Sequence, residues 1–165
     1  MKKHKLTIII VLLSIILMCV GFYTLFIHIP YYAYHNNLNN IKNYIVETNN
    51  YAYLDYFNEH RGKQVYYIIK VVKDGYPTYV AYDESLNLVD EYQGAYASAT
   101  KVKESILKKY EGVYEEKDLG PLEIGYENGH FVYCTKVLQE DSIFYVYYDL
   151  DDGEFLKSYY LNRND

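Results

Sequence analysis

Residues 67–83 read YIIKVVKDGYPTYVAYD and residues 133–149 read YCTKVLQEDSIFYVYYD. The two stretches align without a gap at an offset of 66 residues: Tyr67 on Tyr133, Lys70 on Lys136, Val71 on Val137, Tyr79 on Tyr145, Val80 on Val146, Tyr82 on Tyr148 and Asp83 on Asp149. Upstream, Lys42 falls on Lys108 and Tyr44 on Tyr110 at the same offset. Seven identities in 17 positions on one constant register mark two copies of one unit.

Within each copy the apolar residues alternate. Val65, Tyr67, Ile69 and Val71 point one way and Tyr66, Ile68, Lys70 and Val72 the other, as in a strand. Lys73-Asp74-Gly75 turns the chain into a strand over 78–83, and a shorter strand follows near 88–92. The second copy repeats this with strands at 131–138, 143–149 and 154–161. A weaker strand precedes each trio, at 51–57 and 122–126.

Before each set of strands lies a helix. Tyr34, Leu38, Ile41 and Ile45 recur at helical spacing over 34–48. Ala99, Val102 and Ile106 form a second stripe behind Ser98, a hydroxyl residue suited to an N-cap, and that helix stops near Gly112. The expected fold class is α+β, with two tandem helix-plus-antiparallel-sheet units at 30–94 and 95–165. Each unit alone is small enough to bury only about 60% of its unfolded surface, so the halves are expected to pack together.

The start of the chain is different. Leu6 to Ile27, LTIIIVLLSIILMCVGFYTLFI, is 22 residues without a charge. At about 1.5 Å per residue it matches a bilayer core of roughly 30 Å. It exceeds the apolar region of a signal peptide, Ile29-Pro30-Tyr31-Tyr32 offers no small-residue cleavage pair, and Met18 before Cys19 does not suit a lipoprotein site. The reading is therefore an uncleaved transmembrane anchor at 6–29, with Pro30 kinking or restarting the helix behind it. Lys2, Lys3 and Lys5 assign residues 1–5 to the cytoplasm and the carboxy-terminal part to the outside.

Without those three lysines, 13 basic residues face 22 acidic ones, a net charge of −9. Such a balance excludes the footprint of a nucleic-acid binder and opposes adsorption to anionic lipid or wall polymer. Two cysteines, one inside the apolar run, leave no internal disulfide.

Candidate chemistry is sparse. Asp149-Leu150-Asp151-Asp152-Gly153-Glu154 has the spaced carboxylates of a calcium loop, but Glu154 comes too early and Tyr160 holds the twelfth position, so a hairpin turn is the better reading. Cys134 has no base beside it on its strand face and reads as a small buried hydrophobe. His35 and His60 have no His or Cys at ligand spacing, and His130 has only Cys134, four residues on, too few for a zinc site. The hydrolase patterns G-x-S-x-G and H-E-x-x-H are absent from the sequence. Catalytic residues, cofactors and metals are therefore assigned as none. Tyr66, Tyr67, Tyr79, Tyr82, Tyr133, Tyr145, Tyr147 and Tyr148 lie on both strand faces, either as interface anchors or as a compositional habit with strand propensity.

The plan as a whole resembles that of the membrane-anchored cell-wall elongation regulators of the TseB type in Gram-positive bacteria, a DUF5590 and PepSY-like group with a cystatin-like fold. The residues that carry the likeness are Gly62-Lys63-Gln64-Val65-Tyr66-Tyr67-Ile68-Ile69-Lys70, Tyr79-Val80-Ala81-Tyr82, Ala99 and Val102 of the second helix, and Tyr145-Val146-Tyr147-Tyr148-Asp149 with Asp152-Gly153-Glu154. The resemblance implies a non-enzymatic regulator that binds a peptidoglycan-synthesising penicillin-binding protein. Its PepSY side implies, as an alternative, a protease inhibitor or propeptide-like chaperone, with Lys73–Pro77 and Glu140–Ile143 as wedge loops. Ion sensing through the acidic turns is a third class. Since 66 is even, equivalent residues of both copies share a face. End-to-end packing would leave the Lys70 and Lys136 faces as one platform, with Tyr66 and Lys70 as the expected partner-binding residues.

Overall fold

The computed structural model describes residues 2–139 and 141–162, with side chains from residue 9 onward. The chain divides into two compact units, Met1–Tyr44 and Ile45–Asp165.

In the first unit the helix α1, Lys2–Tyr23, is followed by a π-helical turn over Thr24–His28 and by α2, Ile29–Thr48, which runs on into the second unit. The widened turn has a local cause. Pro30 lacks an N–H and its ring crowds the carbonyl four residues back, that of Phe26, so an ordinary α turn is disfavoured just there. The Ile29 N–H instead reaches the Thr24 carbonyl, five residues back. Pro30 thus changes the turn without ending the helix. This helix is long and apolar enough to cross a membrane, and from Ile9 to Ile27 its large side chains are exposed.

The second unit holds two four-stranded antiparallel sheets. Sheet A is β1 (Ala52–Arg61), β2 (Val65–Lys73), β3 (Tyr76–Tyr82) and β4 (Leu88–Gln93), in that spatial order. Sheet B is β5 (Glu123–Glu127), β6 (His130–Leu138), β7 (Ser142–Asp149) and β8 (Phe155–Asn162), again in order. Both are meanders, as short turns require. Asp74-Gly75 and Asn128-Gly129 close the β2–β3 and β5–β6 hairpins, all four residues at positive φ. Between the sheets runs α3, Ala99–Lys109, whose N-cap Ser98 accepts a hydrogen bond from the Lys101 N–H at 3.2 Å. Val102 and Ile106 are its buried residues; Ala99, expected on that stripe, is exposed, and Ala97 before the cap is buried instead.

The registers show how the sheets use their faces. Lys70 pairs with Tyr79 and Ile68 with Ala81, so these share one face of sheet A with Tyr56, Asn58 and His60 of β1. Between Tyr53 and Tyr56 a bulge inserts Leu54 and Asp55, Asp55 at positive φ. In sheet B, Ile124, Tyr126, Phe131, Tyr133, Val137, Phe144, Val146 and Tyr148 share one face, while Val132, Cys134, Tyr145 and Tyr147 share the other.

One core cluster joins Ile68, Tyr79 and Ala81 of sheet A to that first face of sheet B and to Val102 and Ile106 of α3. This corrects the expected end-to-end platform. The Ile68 face of sheet A is covered, because Tyr56, Tyr66, Tyr79 and Tyr92 supply the apolar bulk that meets Tyr126, Phe131 and Tyr133. Hydrogen bonds tie the same junction. Tyr56 Oη accepts from the Ile124 N–H at 2.6 Å, Asn58 Nδ2 donates to the Ile124 carbonyl at 3.0 Å, and Tyr126 Oη donates to Asp90 at 3.0 Å.

Candidate functional site

Tyr66 and Lys70 stand four residues apart on one face of β2, separated by the fully buried Ile68. The structure therefore places them at two different openings. Tyr66 is half-buried, stacks edge-on against Tyr126 at 5.0 Å and donates to Gln64 Oε1 at 2.5 Å. It borders a cleft of about 310 Å³ with Lys63, Gln64, Glu127, Asn128 and Gly129.

Lys70 belongs to a second cleft, of about 430 Å³, with Tyr76, Pro77, Gln93, Gly94 and Tyr96. Of these six only Lys70 is not exposed. Its Nζ donates to Tyr96 Oη at 3.0 Å and lies 5.0 Å from the centre of the Tyr79 ring and 5.4 Å from that of Tyr96. Aromatic faces attract an ammonium, so the half-buried charge is tolerated without an ion pair. The hydrogen bond from Lys70 also draws the Tyr96 phenol below its ordinary pKa.

Behind the Tyr66 cleft lies a buried ionisable cluster. His60 of β1 and Glu127 of β5 are 6% and 8% exposed, with His60 Nε2 3.6 Å from Glu127 Oε1. Lys157 of β8 pairs with the other Glu127 oxygen and sits 4.5 Å from the Tyr147 ring centre. Tyr147 Oη in turn bonds Tyr159 Oη at 3.1 Å. Two glycines permit this packing: a Cβ on Gly125 would strike the His60 ring, and one on Gly62 would strike Glu127 Oε1. Burial lowers the His60 pKa, a pull that the facing carboxylate of Glu127 opposes.

The other sequence candidates fall out simply. Cys134 is buried and its thiol is pushed up to about 11, chiefly by desolvation. Asp149–Glu154 is a tight turn: Asp149 Oδ1 accepts from the Asp151 N–H at 2.8 Å, Asp152 Oδ1 from the Glu154 N–H at 2.7 Å, and Gly153 takes φ +74°. The Asp149 and Asp152 carboxylates serve as local acceptors, and Asp151 Oδ1 accepts from Tyr92 Oη at 2.8 Å. His130 opens β6, exposed, and His35 Nδ1 lies 3.0 Å from the Tyr31 carbonyl in the same helix. In the wedge loop at 140–143, Glu140 lies outside the described residues, and Ser142 and Ile143 already belong to β7. Six of the eight strand tyrosines, Tyr67, Tyr79, Tyr82, Tyr133, Tyr147 and Tyr148, are buried, so they build core and do not form an open face.

Sequence reasoning missed Glu127, Lys157 and Tyr96. The Glu127-Asn128-Gly129 turn was a readable hairpin signal, but nothing in the sequence aligned its first residue with His60. No family model, no curated protein sequence and no solved structure matches this chain.

Proposed function

We propose that this chain is a non-enzymatic, membrane-tethered regulator that acts outside the cytoplasm on a peptidoglycan-synthesising penicillin-binding protein. The observation that carries the reading is the joining of one helix long and apolar enough to span a bilayer to a compact α+β unit with an aromatic-lined cleft around Lys70. The target and the cell-wall role come from the resemblance to the TseB-type group. So do the cystatin-like, PepSY-like units at 30–94 and 95–165. The outward orientation comes from Lys2, Lys3 and Lys5 before the apolar run.

Deleting the gene should alter cell length or wall thickness, and a photocrosslinker at Tyr66 or Lys70 in intact cells should trap a penicillin-binding protein. Unchanged morphology with no such adduct would refute the proposal. One feature favours the inhibitor reading: Tyr76, at the tip of the Lys73–Pro77 hairpin, is 64% exposed. Secreted metalloproteases left fully active by the full chain in nanodiscs would dismiss that reading.

A further inference from the structure

The lysines of the second unit are unequally served. Lys73, three residues beyond Lys70, holds both oxygens of Glu91 at 2.5 Å. Lys157 holds Glu127, and Lys117 holds Glu115 at 2.7 Å. Lys70 has no carboxylate at ion-pair distance among the described residues, although the chain carries 22 acids. An ammonium has three donors, and Lys70 directs one to Tyr96 Oη. Around it the cleft wall is mainly apolar, with Tyr76, Pro77 and Tyr96 among its lining.

We infer that the Lys70 cleft is a receptor for the C-terminal residue of a partner polypeptide, one that joins a free carboxylate to an aromatic or proline ring. This deepens, and rests on, the reading of the chain as a binding module. The carboxylate takes the unused donors of Lys70 in a partly desolvated niche, where a charge-assisted hydrogen bond is strongest. The ring packs against Tyr76, Pro77 and Tyr96, in the manner of aromatic interface anchors. A chain end is favoured over an acidic side chain by the geometry of a terminal residue, set against a cleft of about 430 Å³. On a terminal residue the carboxylate and the ring spring from one Cα, so both fit without a chain passing through.

The test uses the full chain in nanodiscs, with lysine labelled at Cε and its NMR signal followed during titration. N-acetyl-L-phenylalanine should bind with a Kd of about 1 mM, near the value expected for so small a ligand. Its carboxamide, which lacks only the charge, should bind at least tenfold more weakly. Lys70→Gln should abolish that difference, and Lys73→Gln, in the neighbouring Glu91 pair, should preserve it. The acid-against-amide comparison on the unmodified chain decides the matter even if a variant folds poorly. Equal binding of acid and amide would overturn the inference while leaving the tethered regulator standing, since that reading is tested by crosslinking in cells. Acetyl-Phe-Asp-amide has its carboxylate on a side chain and a blocked terminus. Binding as tight as that of the free acid would overturn the assignment to a chain end.

Discussion

Gly153 shows what one residue does here. It sits at φ +74°, and a Cβ there would lie 2.9 Å from Ala97 Cβ and 3.3 Å from Val102 Cγ2, where the β7–β8 turn meets the start of α3. Gly153→Ala adds left-handed strain of about 1–2 kcal/mol and, on top of it, a clash with the Ala97 and Val102 side chains. Thermal melts should show Tm falling by about 5–10 °C. A second residue-scale prediction concerns pH. The folded pKa of His60 is held below its unfolded value by burial, so the unfolded chain binds the proton more readily. The stability from neutral His60 is complete above the unfolded value of about 6.5 and is lost progressively as pH falls from there through the lowered folded value. Melting points should therefore drop between pH 7.5 and pH 5.5, in a window above the titration of ordinary carboxylates, and His60→Leu should flatten that slope. An equal slope in the variant would place its origin elsewhere. Lys70 and Tyr66 were legible as a pair on one strand face. Their separation into two clefts was not, because it depends on Tyr126 and Tyr96 arriving from other strands and loops.

At the scale of elements, periodicity carried far. The offset of 66 anticipated both meanders, and the strands found lie within a few residues of those expected, apart from β1, which runs on to Arg61. The same strand carries the bulge at Leu54 and Asp55. Alternation alone hides a bulge, since two inserted residues leave the parity of the strand unchanged. The cap of α3 was readable because Ser98 does its work within three residues of sequence. Ser98→Ala removes the acceptor for the Lys101 N–H and should cost about 1 kcal/mol, visible as a shift in the urea midpoint with the slope unchanged. Pro30 was read as a kink or restart; the wider turn before it is a response of backbone hydrogen bonding that composition does not encode.

Across the second unit, the decisive feature is a core shared by the two sheets. The repeat suggested faces used alike in both copies, yet the copies differ. Ile68 packs into the common core, while its counterpart Cys134 clusters with Val132 and Tyr147 on the other face of sheet B. Sequence could not distinguish these outcomes, for both faces are rich in tyrosine and aliphatic residues. Because the core is shared, Ile45–Asp165 should melt in one cooperative transition. Ile68→Ala, which removes a fully buried side chain, should destabilise it by about 2–5 kcal/mol. Calorimetry should show one peak moving to lower temperature; two peaks, with only one displaced, would mean that the sheets unfold independently.

The buried phenols have a spectroscopic consequence. The chain has 24 tyrosines and no tryptophan, so its near-ultraviolet absorbance reports phenol and nothing larger. Burial pushes Tyr126, Tyr133 and Tyr148 up to about 12, and Tyr56, Tyr79, Tyr82 and Tyr147 are raised further. An unfolded phenol ionises near 10, so these groups stabilise the fold below that pH and withdraw the contribution as pH climbs past it. In an alkaline titration followed at the tyrosinate band, the exposed phenols should ionise first. The buried set should then follow in one steep step, together with loss of the sheet signal in circular dichroism. The protein therefore contains its own optical indicator of unfolding, with no label attached.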